Sequence, residues 1–240
     1  MSKKIALVFG GTRGIGAACV HKLAQDGFDV AYTYVNSAPN LPTTIGACTT
    51  RGYPVDIRDA AQVAQVFADV ARDFGGMPHC VLANAGVNVP PGPLAQFDPD
   101  AFRKLVEINI VGAFHVLSAA ARHVTDGGSI IGLTTSMVRV GIPGGGPYTA
   151  SKAAVESMLR SLAKEVAGRG VRVHGVAPGP VDTDLFRAGK NEEALARSAA
   201  LSPFNRVGQP AEVAEVVAFL ASDKASWVHG QIVQPNGGMV

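Results

Sequence analysis

Short apolar runs that end in glycine or hydroxyl-bearing residues alternate along the chain with longer segments whose apolar side chains recur every three or four positions. Ile5 to Phe9 is a continuous apolar run, as a parallel strand buried on both faces requires. A helix is predicted from near Gly14 through Ala17, Val20, Leu23 and Ala24 to Gly27. Strands follow at Asp29 to Tyr34, Gly52 to Val55 and Cys80 to Ala83, and Val63, Val66, Phe67 and Val70 form the stripe of a helix from Ala60 to Phe74. Asp98 and Pro99 read as an N-cap and a first-position proline, opening a helix through Phe102, Leu105, Ile108 and Phe114 toward His123. A strand at Ser129 to Thr134, a helix at about Tyr148 to Ala167 and a strand at Val171 to Ala177 come next. Pro210 starts a helix that ends near Ala221, and Gln231 to Gln234 forms the last strand. The crossover Ser37 to Arg51 carries Pro39, Pro42 and Gly46 without a helical stripe and is predicted to be irregular. Strand-helix alternation to the C-terminus implies an α/β fold, a doubly wound parallel sheet with helices on both faces.

Composition adds bounds to this picture. A chain of 240 residues with 47% hydrophobic and 17% charged content makes one sizeable domain, 1–240, without repeat or linker. A net charge of +2 with no Lys/Arg cluster gives no footprint for nucleic acid. Met1 to Lys4 leads straight into the first strand, whose apolar run is too short and lacks the cleavage site of a signal peptide, so none is expected, and no run is read as long enough to span a membrane. Cys19, Cys48 and Cys80 are odd in number and widely spaced, which fits reduced thiols and a cytoplasmic protein. The six histidines show no metal-ligand spacing, so no metal site is expected.

Two clusters carry candidate chemistry. Val8 to Gly16 ends the first strand in a turn with Gly10, Gly14 and Gly16, and the helix that follows aims its free N–H groups at that turn, where a pyrophosphate would sit. Tyr148 and Lys152 stand four apart at the start of the longest helix and can serve one site. A phenol with a reference pKa of about 10 needs a nearby cation to act as a base near neutrality, and Lys152 is expected to supply it. The pair follows a strand that ends in Thr134, Thr135 and Ser136, and C-terminal strand ends line the ligand crevice of a parallel sheet.

These residues resemble the short-chain dehydrogenase/reductase family over essentially the whole chain. Gly10, Gly14 and Gly16 match its glycine turn, Asn84-Ala85-Gly86 its N-A-G motif, Tyr148 and Lys152 its Y-x-x-x-K motif, and Pro178-Gly179 with Thr183 its P-G-x-x-x-T motif. The resemblance implies a single Rossmann domain performing reversible hydride transfer between a nicotinamide cofactor and a carbonyl or alcohol, in a tetramer. It implies that Tyr148 donates a proton to the carbonyl oxygen, that Ser136 hydrogen-bonds that oxygen, that Lys152 lowers the phenol pKa and binds the ribose, and that Asn109 holds a relay water. Thr12, Arg13 and Ile15 lie within the phosphate turn, Asp56 and Ile57 would meet the adenine, Asn84 to Gly86 the ribose, and Pro178, Gly179, Val181 and Thr183 the carboxamide side of the ring.

Three positions depart from the family pattern. Phe9 replaces a threonine whose hydroxyl ties the first strand to its neighbour, and the Ser37 to Arg51 segment is unusual. The catalytic hydroxyl commonly stands about thirteen residues before the tyrosine, at Thr135; Ser136 is preferred here, because the run Thr-Ser-Met resembles members with a glycine- and proline-rich approach such as Gly141-Ile142-Pro143-Gly144, and a slip by one turns the side chain to the other face. The end of the second strand, Tyr32 to Ser37, holds no acid for a ribose 2′-hydroxyl, whereas Asn36, Ser37 and Arg13 can serve a 2′-phosphate, so NADP(H) is expected over NAD(H).

The expected function is NADPH-linked reduction of a ketone, resembling 3-oxoacyl-[acyl-carrier-protein] reductases and related ketoreductases. The alternative is a redox sensor or scaffold that binds the cofactor without turnover, against which the intact Tyr148/Lys152 pair argues. Asp184 to Pro203 should form a helical lid, with Val87 to Pro93 and Val138 to Gly146 lining an apolar mouth for an uncharged carbonyl compound or carrier-tethered acyl chain. Ala119, Ala120, Ala153, Ala154 and Leu159 are expected on the outer faces of the two long helices, pairing subunits of a homotetramer.

Overall fold

The computed structural model describes residues 3–36 and 41–240. Its strands are β1 (Ile5–Phe9), β2 (Asp29–Tyr34), β3 (Thr44–Ile45), β4 (Cys48–Pro54), β5 (Cys80–Ala83), β6 (Ser129–Leu133), β7 (Arg172–Val176) and β8 (Ile232–Val233). They form one sheet in the order β3-β4-β2-β1-β5-β6-β7-β8. Every pairing is parallel except the β3/β4 hairpin. The order reverses between β1 and β5, and the crevice beyond the carboxyl ends of those two strands is where such sheets bind ligands.

Helices α1 (Gly14–Gln25) and α9 (Pro210–Ala221) cover one face. The other carries α2 (Ala60–Phe74), α4 (Ala113–His123) and α6 (Gly146–Val166). Pleating divides the core accordingly. Ile5, Leu7 and Phe9 pack with Phe67 and Val70 of α2 and Leu159 of α6, while Ala6 and Val8 pack with Val20 and Leu23 of α1 and Val217 of α9. Local chemistry sets the ends. Asp59 caps α2 by accepting from Ala61 N and Gln62 N, and Gly75 ends it at φ 77°. Asp98 accepts from Asp100 N at 3.0 Å to open α3 (Pro99–Leu105).

Four expectations change. The segment expected to be irregular contains the β3/β4 hairpin: Thr44 pairs with Thr49 and Ile45 with Cys48 around a turn where Gly46 has φ 58°. The helix from Pro99 to His123 is interrupted by a π-helical stretch, Val106–Gly112, between α3 and α4. That 25-residue helix is also long and apolar enough, by length and composition, to cross a membrane, although its buried face belongs to the core. Finally, Ala119, Ala120 and Leu159 are buried within the subunit instead of facing outward. A stripe of small and apolar residues serves a subunit core as well as an interface, which is why the pattern misled.

Candidate active site

Three segments meet at the carboxyl ends of β1 and β5. The turn after β1 is closed tightly: the Asn84 amide, just after β5, donates to Phe9 O at 3.2 Å and Gly10 O at 2.7 Å. A Cβ on Gly16 would lie 2.0 Å from Gly10 O and 2.6 Å from Asn84 Nδ2, so only glycine lets α1 start this close to β1. The tie expected to be lost with Phe9 is made from the other side, where Gly10 N donates to Thr33 Oγ1 of β2 at 3.1 Å. Arg13 is the exposed N-cap of α1 and offers no side-chain cap, which leaves the first-turn N–H groups of α1 open. Thr12 and Ile15 are half-buried, and Ile15 packs on the α1/α9 core. Asn36 is exposed at the end of β2, and Ser37 lies outside the described residues.

Tyr148 and Lys152 stand on one face of α6, and Gly86 lies against Lys152, where an added Cβ would come within 3.3 Å of Nζ. Lys152 is 6% exposed and donates to Leu133 O at 3.0 Å. Burial pushes its ammonium down to about 8 and pushes the Tyr148 phenol up to about 12. The phenol was expected to be lowered by Lys152. Desolvation dominates instead, because both groups sit where the charged form is poorly hydrated. The Tyr148 hydroxyl has no hydrogen-bond partner among the described residues, so its proton is available to a ligand.

Asn109 sits in the π-helical stretch, 1% exposed, and π-helical turns often mark functional sites. Its Oδ1 accepts from Val87 N at 2.9 Å, and its Nδ2 donates to Val87 O at 2.9 Å and to Ser151 Oγ at 3.0 Å. Both amide protons are therefore committed, and a relay water would not find a free side-chain N–H there.

The two candidate hydroxyls differ sharply. Ser136 is fully buried; its Oγ donates to Ala177 O at 2.6 Å and accepts from Asn236 Nδ2 at 3.1 Å. Thr135 accepts only a long contact, from Met137 N at 3.3 Å, and keeps its own proton free among the described residues. The hydroxyl expected to face substrate thus faces the C-terminal segment.

The Pro178 to Thr183 segment closes the crevice. Ser136 N donates to Pro178 O at 2.9 Å, Val181 bridges to Gly208, and Gly179 packs against Asn236. Thr183 caps α7 (Asp184–Arg187), accepting from Phe186 N at 3.1 Å, and its methyl would meet a Cβ on Gly14 at 3.1 Å. The expected lid, Asp184 to Pro203, contains α7 and α8 (Glu192–Ala199) and is fastened near its end by Ser202 Oγ donating to Gly237 O at 2.7 Å. The mouth loops are joined by Gly92 N donating to Gly144 O at 3.1 Å. Asp56, expected at the adenine, is held by Arg58, whose guanidinium lowers the carboxyl pKa. Ile57 is buried against Gly112 of the π-helical stretch.

Sequence reading missed Asn236, which touches Ser136 from 100 residues away, and Glu156, a buried acid one turn beyond Lys152. Asn236 has no local signal. Glu156 has one, an acid between Val155 and Leu159 on an inward helix face.

Known proteins resemble the chain throughout. A family model described as enoyl-(acyl carrier protein) reductase matches residues 10–240. A short-chain type dehydrogenase/reductase of Picea abies is 39% identical over 254 residues, covering 99% of this chain and 92% of its own. An NADPH-dependent aldehyde reductase-like protein of Arabidopsis thaliana, described as chloroplastic, is 36% identical over 259 residues, covering 100% and 95%. A short-chain dehydrogenase of Burkholderia cenocepacia, solved in complex with NADP, superposes with a TM-score of 0.89 at 32% identity, covering 98% and 97%.

Proposed function

Because the chain belongs to the short-chain dehydrogenase/reductase family of oxidoreductases, we propose that it reduces an apolar ketone or aldehyde, or a carrier-tethered 3-oxoacyl chain, with NADPH and with Tyr148 as proton donor. The observation that carries this reading is the Tyr148/Lys152 pair at the open ends of β5 and β6, with a protonated phenol free of protein partners.

The cofactor fits the residues present. The Gly10 to Gly16 cradle has room for backbone alone, and a pyrophosphate there would meet the first-turn N–H groups of α1. Asn84 to Gly86 and Lys152 would hold the nicotinamide ribose, Asp56 and Ile57 the adenine, and Pro178, Gly179, Val181 and Thr183 the ring. Arg13 and Asn36, both exposed, would take a 2′-phosphate, and the described end of β2 carries no acid to repel it. The NADPH-dependent relative and the NADP-bound neighbour support that choice. When bound, the nicotinamide supplies the hydride.

The chain's own part is to hold and protonate. Tyr148 gives its proton to the carbonyl oxygen, and with its pKa near 12 it is fully loaded for that step at neutral pH. Thr135, whose proton is free, replaces Ser136 as the hydroxyl that hydrogen-bonds the same oxygen. Lys152 adds positive charge beside the developing alkoxide, and Asn109 secures the Val87 end of the mouth. Arg139 is already paired with Glu156, so the mouth offers no free cation from α5 (Met137–Val140), which favours an uncharged substrate. Exposed Phe102 and Phe114 on the long helix suit a homotetramer, and buried free thiols suit a reducing compartment such as the cytoplasm. The test is NADPH oxidation with a panel of ketones, aldehydes and 3-oxoacyl thioesters; wild-type turnover by Tyr148→Phe would sink the mechanism.

A further inference from the structure

Glu156 is a carboxylate, 2% exposed, on the helix that carries Tyr148 and Lys152, and no step above uses it. Residues 148, 152 and 156 follow one another at four-residue spacing and share a helix face. Lys152 reaches Leu133 O at 3.0 Å, and Glu156 Oε1 accepts from the next residue, Thr134 Oγ1, at 3.1 Å. The chain then runs through Thr135 and Ser136 into α5 and returns to the same carboxylate. Arg139 NH1 and NH2 each donate to one Glu156 oxygen at 2.9 Å, a two-point fork. Arg160 adds a longer bond at 3.2 Å from a side chain that is 56% exposed.

The carboxylate thus grips both ends of the short segment that holds the substrate hydroxyl. Buried ion pairs of this kind are poor sources of net stability and better at fixing one arrangement. The structure assigns to Glu156 and Arg139 the role of a positioning clamp: they lock residues 134–139 onto α6 and so set the Thr135 hydroxyl against the Tyr148 phenol, an assignment that rests on the reductase reading. Neither residue touches the reacting atoms; each acts through Thr135.

Two readouts test it, steady-state kinetics and hydrogen exchange of amides 134–140. Arg139→Met is the principal variant, since it leaves Glu156 bonded to Thr134 and Arg160. Its exchange in that segment should quicken, and kcat should fall about ten- to a hundredfold, the scale of a misplacement near 1 Å. KM for NADPH should stay within about twofold, because the cofactor residues are untouched. Arg139→Lys, which keeps the charge but not the fork, should recover part of the loss. Arg139→Met/Glu156→Met, which also frees the Thr134 end, should lose at least as much as Arg139→Met but less than the sum of the two single losses, as expected of two parts of one device. Arg160→Met should leave kcat unchanged. Unchanged exchange in Arg139→Met would overturn the clamp, and so would faster exchange with wild-type kcat, which would reduce the pair to a stability brace. A wild-type protein without turnover on any carbonyl would sink the reductase reading and, with it, the catalytic part of the assignment, while exchange would still decide whether the segment is clamped.

Discussion

Thr135→Val and Ser136→Ala should separate cleanly into a catalytic and a structural variant. Removing the Thr135 hydroxyl sacrifices only the 3.3 Å contact from Met137 N. Stability should change by less than about 1 kcal/mol. If that hydroxyl binds the carbonyl oxygen, its loss resembles removal of one oxyanion donor, about 10²–10³-fold in kcat. Ser136→Ala does the reverse. It strips Ala177 O and Asn236 Nδ2 of their 2.6 and 3.1 Å partner, and both lie where water does not reach freely. Each orphaned group costs about 1–3 kcal/mol, so for the two of them a loss of about 2–6 kcal/mol is expected. At about 2–4 °C per kcal/mol for a domain of this size, Tm should fall by at least about 4 °C. The assay pairs initial rates at saturating NADPH with urea and thermal unfolding. A larger kcat loss in Ser136→Ala than in Thr135→Val, at equal folded fraction, would refute the assignment.

Three further outcomes are expected. Lys152 is held near pKa 8 by burial against an ordinary 10.5, so the unfolded chain binds the extra proton between those values and stability rises with pH across that window; Lys152→Met should abolish turnover yet be more stable at pH 7, by up to about 3 kcal/mol, with the gap closing toward pH 10 in urea titrations. A variant less stable than wild type at pH 7 would contradict this. Gly16→Ala gains about 1 kcal/mol of helix propensity but puts a methyl 2.0 Å from Gly10 O; it should destabilise the fold and abolish NADPH binding in a fluorescence titration, and wild-type affinity would disprove the cradle. Arg13→Ala should raise KM for NADPH about ten- to a hundredfold, the worth of one charged contact, and spare NADH; equal losses with both would remove Arg13 from the phosphate site.

What could be read from the sequence was whatever repeats or caps. β2, β5, α2 and α9 begin and end where expected, because Asp59 before Ala60 and Pro210 after Gln209 are local signals that no distant contact overrides. The glycine turn and the placement of Tyr148 and Lys152 on one helix could be located for the same reason, being fixed spacings within one turn or one helix, while their roles remain those proposed above. The β3/β4 hairpin was not. Prolines before it suggested disorder of pattern, while its own signal, Cys48 and Thr50 inward with Thr49 and Arg51 outward, spans only four residues. The choice between Thr135 and Ser136 was not legible for a sharper reason: neighbouring residues past a strand end point opposite ways, and nothing local says which one the C-terminal segment will claim.

That claim is made by Asn236, and it belongs to a wider arrangement. Asn84 joins the turn after β1 to β5, Asn109 joins the π-helical stretch to Val87 and Ser151, Glu156 joins α6 to both ends of 134–139, and Asn236 joins the C-terminus to Ser136. Each is a polar side chain that ties its own segment to another, at the one end of the sheet where backbone leaves the ladder and needs partners. Regular sheet and helix bonds fix the scaffold, but they stop at Phe9, Ala83, Leu133 and Val176. Beyond those residues only scattered backbone bonds remain, such as Ser136 N to Pro178 O at 2.9 Å, and side chains supply the other ties. Preorganised donors accelerate a reaction only when they need not move to meet the transition state, so under the proposed mechanism these four bridges, which carry no chemistry themselves, would decide whether the Tyr148 proton and the Thr135 hydroxyl arrive at the same oxygen.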